Sequence, residues 1–214
     1  MTGAARTHIA RPLTRRVRAA KRSIGRRRLP AHLRAVDRVT GGISLEEADL
    51  LFRLAVQADG KGCIVEVGSS RGRSTVALAH GARSSPVFAI EPHEPFEGVL
   101  GGKFGPEDRA AFFETMLGSK GYERVRLVNL SSEIVTPGWR QPVGLLWIDG
   151  DHSYEGVRRD WDAWKPHLLP HAVVAFDDST DEAIGPYRLI GELTEAGELT
   201  LVERVGKITT LERP

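Results

Sequence analysis

The chain has 214 residues, 41% hydrophobic and 27% charged, which suits one soluble domain with a real core and an extra segment. Its 23 Gly and 12 Pro are ordinary numbers and exclude collagen-like and low-complexity classes, while the single Cys excludes an intramolecular disulfide framework and a Cys-rich zinc site. The net charge of +2 conceals an asymmetry: residues 1–40 carry 12 Lys and Arg against one acid, Asp37, and residues 41–214 carry 18 against 27 acids.

Residues 1–42 therefore read as a basic arm, helical or partly disordered, with clusters at Arg15-Arg16 and Arg26-Arg27-Arg28. Arginines interrupt every apolar stretch that could serve as the core of a secretory signal. No aromatic interleaves them to stack on bases, so docking on a partner subunit or an anionic partner is expected ahead of nucleic acid. No run approaches the roughly 20 apolar residues of a membrane span. A lone thiol is consistent with a reducing compartment, and a cytoplasmic homo-oligomer, a dimer first, is the expectation.

The body, residues 43–214, opens with Ser44-Leu45-Glu46-Glu47, a capping box. Leu45, Ala48, Leu51, Phe52 and Ala55 follow at helical spacing, to about Ala58. Strands are predicted at 63–67, 87–90, 125–130, 143–148 and 172–176. Helices are predicted at 74–80, 106–117 (Pro106 in the first turn) and 186–196, stopped by Gly197. Tyr154, Val157, Trp161, Trp164 and Leu168 share one helical face. Residues 92–105 hold four glycines and no clear period, which predicts a long loop, a candidate lid. Residues 199–205 and 208–211 read as a closing antiparallel pair turning at Gly206-Lys207.

Alternating strands and helices predict an α/β fold: a mostly parallel sheet with helices on both faces and one antiparallel strand at the end. Ligands of such sheets bind beyond the carboxyl ends of the strands. The chemistry should lie just after Val67, Ile90, Leu130, Ile148 and Phe176.

The first such place is Val65-Glu66-Val67-Gly68-Ser69-Ser70-Arg71-Gly72-Arg73-Ser74-Thr75, a strand, a glycine loop and a helix start. Glycines let backbone approach a ligand closely. Ser70 breaks the G-x-G-x-x-G dinucleotide fingerprint and the loop has no P-loop lysine, so a cofactor without phosphates fits better. Glu91, at the end of the second strand, can accept hydrogen bonds from both ribose hydroxyls of a nucleoside. Ser131-Ser132-Glu133, after the third strand, is placed to hold an adenine edge.

E-V-G-x-x-x-G followed by an acid ending the second strand resembles the class I methyltransferases that use S-adenosylmethionine. The resemblance covers about residues 43–213. It implies a Rossmann-like seven-stranded sheet in the order 3-2-1-4-5-7-6, with the last strand antiparallel. It also implies cofactor contacts from Glu66, Gly68, Ser69, Gly72, Ser74, Thr75, Glu91, Ser132, Glu133 and Asp149.

The fourth strand ends in Asp149-Gly150-Asp151-His152 and the fifth in Asp177-Asp178. If the two strands are parallel neighbours, Asp149, Asp177 and Asp178 converge, and three carboxylates together call for a neutralising cation. Oxygen ligands suit Mg²⁺ or Mn²⁺. This pair of motifs is similar to metal-dependent sugar O-methyltransferases of the macrolide-sugar and polysaccharide type. That resemblance implies Asp149, Asp177 and Asp178 as metal ligands and Asp151 or His152 as the base, His152 being preferred for its titration near neutrality. The implied substrate is a sugar or glycoside hydroxyl, such as a mannose-type unit of a polysaccharide, with a small molecule or an oligosaccharide as the partner. A small phenol or catechol acceptor, and a non-enzymatic nucleotide-binding regulator whose acids are structural, remain as alternatives. Trp139, Tyr154 and His93 are further candidates for touching a sugar.

Overall fold

A computed structural model describes residues 29–119 and 121–214. The seven-stranded sheet consists of β1 (Cys63–Val67), β2 (Val87–Ile90), β3 (Val125–Val128), β4 (Val143–Ile148), β5 (Leu168–Phe176), β6 (Thr200–Val205) and β7 (Ile208–Glu212). A separate hairpin pairs Phe96–Glu97 with Lys103–Phe104 and is left out of this numbering. The sheet order is then 3-2-1-4-5-7-6, as the resemblance implied. β1 pairs in parallel with β2 and β4, β2 with β3, and β4 with β5; β7 is antiparallel to both β5 and β6.

The strands alternate faces with period two, and both faces are covered. Ile64, Leu145, Trp147, Val173 and Ala175 pack on one side against α1 (Ala31–Val36), α2 (Leu45–Ala58), α3 (Arg73–Gly81) and α4 (Pro106–Gly118). Val65, Val67, Leu146, Ile148, Val174 and Phe176 pack on the other side against α6 (Tyr154–Trp164) and α7 (Gly185–Glu195). The short α5 (Ser132–Val135) follows β3. Val157, Trp161 and Trp164 form the buried stripe of α6.

The capping box at Ser44 forms: its hydroxyl accepts the Glu47 N–H at 3.2 Å and the Glu47 carboxylate accepts the Ser44 N–H at 2.6 Å. Several predicted boundaries move. Leu168 belongs to β5 and not to the α6 face, because α6 ends at Trp164 and a 3-10 turn, Lys165–His167, carries Pro166. β5 accordingly begins at Leu168, and β3 stops at Val128. The 92–105 segment is not wholly loop, since it contains the 96–104 hairpin.

The expected arm divides at the edge of the described residues. Its arginine clusters at 15–16 and 26–28 lie outside them. Residues 31–43 pack as part of the body, so the body begins before residue 43. Val36 is fully buried, and the Arg73 guanidinium donates to the carbonyls of Val36 (2.9 Å), Val39 and Ile43 (2.8 Å). Among the described residues no helix is long and apolar enough to cross a membrane.

Candidate active site

The strand register draws the site as a row. Val67 pairs with Ile90 on one side and Ile148 on the other, and Ile148 pairs with Phe176. The next residue of each strand is Gly68, Glu91, Asp149 or Asp177, so four residues well apart in the chain stand side by side at the carboxyl edge. The ladder runs through them: the Gly68 N–H bonds the Ile90 carbonyl, Asp149 that of Val67 and Asp177 that of Ile148, at 2.8–3.0 Å. Gly68 has φ +83°, and a Cβ there would lie 2.1 Å from the Asp149 carbonyl oxygen. That backbone contact is why only glycine fits.

A cavity of about 520 Å³ opens above this row, within the range of small-molecule sites. Gly68, Ser69, Ser74, Glu91, Ser132 and Glu133 line one part of it; Asp149, Asp151, His152, Asp177 and Asp178 line another. Glu66, Gly72 and Thr75, expected as cofactor contacts, lie behind the wall. Glu66 is fully buried and accepts hydrogen bonds from the hydroxyls of Ser74 and Thr75, which makes it an anchor for the start of α3. Burial raises its pKa to about 7, the two hydroxyls pull it back, and the charge of Glu91 adds to the rise. Gly72, with φ +85°, leaves room for Met116 and Phe112.

Glu91 receives the Ser70 N–H at 3.1 Å and the His93 N–H at 2.9 Å, one on each carboxylate oxygen. Each oxygen keeps a lone pair, so the side chain is fixed and can still accept from a ligand. Ser132 is buried and accepts the Trp164 indole N–H at 3.0 Å, while Glu133 is exposed, 3.4 Å from Arg159 Nε. Ser69 Oγ is buried and has no partner among the described residues.

The three further sugar-contact candidates do not line the cavity. His93 is buried; its Nδ1 accepts from Asn129 at 2.9 Å, which leaves the proton on Nε2 to donate to the Ser70 carbonyl at 2.9 Å. The Trp139 indole donates to the Gln141 carbonyl and the Tyr154 hydroxyl to Glu192.

At the ends of β4 and β5, ligating atoms of Asp149, His152 and Asp177 lie within 4.8 Å of one another. His152 sits between two acids, Nε2 3.4 Å from Asp149 and Nδ1 3.3 Å from Asp178. Asp151 points its carboxylate at the Ser153 N–H and hydroxyl, both at 2.9 Å, and so braces the cap of α6. Burial pushes Asp149 well above the ordinary carboxylate range, and burial with the charge of Asp149 does the same to Asp177. Asp178 is not one of that three-residue group; it meets the group through His152 and has φ +44°. Ser70 and His93 also adopt positive φ, at 41° and 53°, so backbone strain gathers at this edge.

Three residues escaped the sequence reading. Lys207, in the β6–β7 turn, donates from Nζ to Asp177 at 2.6 Å and lies 3.0 Å from Asp178. Burial alone would lower its pKa, but the charge of Asp177 and the hydrogen bonds to Asp177 and Asp178 carry it well above the ordinary lysine value. Its signal was the antiparallel register: β7 pairs Thr209 with Phe176, so the turn before β7 must fall beside Asp177-Asp178. Asp160 of α6 also lines the cavity, its pKa raised to about 6 by burial despite a hydrogen bond with Ser132. Arg73 ties down the segment holding Thr40, Gly41 and Gly42, which forms part of the rim.

Known proteins share this architecture. Cofactor-bound Rv0187 from MTB is 19% identical at a TM-score of 0.65, over 86% of this chain and 88% of that one. An O-methyltransferase from Bacillus cereus in complex with SAH is 18% identical at a TM-score of 0.59, over 94% and 92%. The O-methyltransferase TomG from Streptomyces achromogenes, in complex with SAM, is 16% identical at 0.62, over 81% and 82%. At these identities the likeness is one of fold. Over 122 residues the chain is 31% identical to the uncharacterized protein y4gI of Sinorhizobium fredii, which takes in 54% of this chain and 13% of that much longer protein. The family model described as a methyltransferase domain matches residues 65–179, just over half of the chain and the whole run from β1 to the Asp177-Asp178 pair. The chain therefore belongs to that methyltransferase family, with the class I fold that its sheet order displays.

Proposed function

We propose that this protein transfers a methyl group from S-adenosylmethionine to a hydroxyl oxygen, with a divalent cation at the acid cluster. The observation that carries the reading is the row of strand ends, which sets Gly68 and Glu91 in one cavity with Asp149, His152 and Asp177. The donor is supported by the SAH- and SAM-bound state of fold neighbours, and oxygen as acceptor by the two that are O-methyltransferases.

The residues present fit both groups. S-adenosylmethionine supplies an electrophilic methyl on a sulfonium. Gly68 and Ser69 would admit its close approach, Glu91 would accept from its ribose, and Ser132 with Glu133 would flank its adenine. The unpartnered Ser69 hydroxyl is available for such a ligand. For the metal, Asp177 is 2% exposed and keeps one buried oxygen, Oδ1, without a hydrogen-bond donor among the described residues. Asp149 and Asp177, with Asp178 beside them, offer the hard oxygens that Mg²⁺ or Mn²⁺ prefers. A divalent ion there contributes Lewis acidity, which makes an alcohol a better nucleophile.

His152 is the proton acceptor in this reading. It lies between Asp149 and Asp178, within 3.4 and 3.3 Å of their carboxylates, and borders the same cavity. Asp151 is the weaker candidate because its carboxylate is spent on Ser153. On this reading the row of strand ends would hold donor and acceptor at one edge of the sheet, where positioning supplies much of the rate.

The acceptor proposed first is a sugar or glycoside hydroxyl, free or within an oligosaccharide. A phenol is the second reading, favoured by one observation: Phe96, Val99, Leu100 and Phe104 are exposed apolar side chains on the cavity's hairpin wall. Methyl transfer from labelled S-adenosylmethionine to a panel of glycosides and phenols, with Mg²⁺ or with EDTA, tests both. Glycoside methylation abolished by EDTA and by Asp149→Asn is the expected result. Full activity in EDTA removes the metal, and methylation of phenols alone selects the second reading.

A further inference from the structure

We infer that Lys207 is a resident counter-ion that competes with a divalent cation for the carboxylates of Asp177 and Asp178, so that one side chain sets how tightly metal is held. The inference rests on the metal-site reading of the acid cluster made above.

The placement of Lys207 is built from three directions. Its N–H donates to Glu47 Oε1 at 2.9 Å. Its carbonyl accepts both the N–H and the hydroxyl of Ser179, each at 2.9 Å. Gly206, with φ +58°, packs so closely on Glu47 that a Cβ would lie 2.2 Å from Oε1. The turn is therefore fixed, and the stem of Lys207 reaches from it into the cluster.

The ammonium then takes ligand atoms a metal would need. Nζ holds Asp177 Oδ2 at 2.6 Å and lies 3.0 Å from Asp178 Oδ1. Asp177 Oδ1, beside it, is buried and has no hydrogen-bond donor among the described residues. A cation arriving at Asp177 thus finds one oxygen free and the other in the grip of a positive charge. The ammonium touches two of the three carboxyl groups, Asp177 and Asp178, and leaves Asp149 without a direct contact to it among the described residues. Lysine is a compact charge on a flexible stem, able to swing out without moving the backbone. Gly42 of the rim stands beside it, since a Cβ built there would lie 3.9 Å from Lys207 Nζ. Two states follow, one with the lysine inside and one with the metal inside.

Calorimetric titration with Mn²⁺ alone, on wild type, Lys207→Met and Lys207→Arg, tests the competition. The Met variant should bind Mn²⁺ at least tenfold more tightly than wild type, and the Arg variant no more tightly. Amine labelling of the wild-type protein, read by mass spectrometry at Lys207, should speed up when Mn²⁺ saturates the site. This second readout decides the matter should the Met variant fail to fold. Equal or weaker binding by a folded Met variant, labelling that Mn²⁺ leaves unchanged or slows, or no Mn²⁺ binding by any form each overturns the inference. S-adenosylhomocysteine affinity measured on the same wild-type samples separates the two readings: binding retained alongside a failed metal result sinks the competition and leaves methyl transfer standing.

Discussion

Glu47 holds Lys207 across 160 residues of chain: Oε1 accepts the Lys207 N–H at 2.9 Å while Oε2 accepts the Ser44 N–H at 2.6 Å. One carboxylate closes the capping box of α2 and fixes the turn that delivers an ammonium to the acid cluster. Glu47→Ala leaves the Lys207 N–H without this acceptor and should cost about 1–3 kcal/mol in urea denaturation, with Glu47→Gln recovering part. Burial alone would raise the Glu47 pKa, but the N–H bonds of Lys207 and Ser44 lower it overall. Its contribution is present above the unfolded value of 4.5 and fades as pH falls through the lower folded value. A Glu47→Ala protein as stable as wild type at pH 7 contradicts this.

Glu66 behaves with the opposite sign. Its folded pKa is raised from 4.5 to about 7, so the folded state holds a proton that the unfolded state has released. Stability should decline as pH climbs between these values, by a contribution on the order of 3 kcal/mol. Glu66→Gln keeps an acceptor for the α3 hydroxyls and should flatten the decline. Thermal melts from pH 5 to 8 check it, and identical slopes in the two proteins refute it.

For Glu91, the measurement is S-adenosylhomocysteine affinity by calorimetry. The side chain is preset by the Ser70 and His93 N–H groups. Glu91→Ala should weaken binding by roughly 10–100-fold, the range for losing hydrogen bonds to a charged group. Unaltered affinity would place the ribose elsewhere.

Arg73 should matter to the rim more than to the chemistry. Its guanidinium serves the carbonyls of Val36, Val39 and Ile43. Arg73→Met should destabilise by about 3 kcal/mol and speed amide exchange across residues 36–43. Exchange unchanged in that segment would show that it docks by apolar packing alone.

Much of this was legible in the sequence because it is local. The runs at 63–67, 87–90 and 143–148 match β1, β2 and β4 end to end, since central strands buried on both faces are apolar almost throughout, Glu66 being the one charged exception. Ser44 and Glu47 announced α2 because a capping box is written within four residues. The rest depends on register. Leu168 stands at helical spacing from Trp164, but Pro166 lies between them in a 3-10 turn and ends the helix first. The 96–104 hairpin has two-residue strands, too short for any period to show. The acids at 149, 177 and 178 were visible, but the lysine beside them was not. It is one residue in a tight turn, and its meaning appears only when β7 is laid against β5.

The contact between Gly68 and the Asp149 carbonyl has a consequence for how such a catalyst diversifies. Main chain touches main chain there, so the spacing between the glycine loop and the carboxylates is ruled by peptide geometry and owes nothing to any replaceable side group. On the proposed reading, substitutions along either wall would retune which alcohol is welcomed without spoiling the reach of the transfer, whereas a single methyl added at position 68 would wedge the two halves apart and silence every substrate at once.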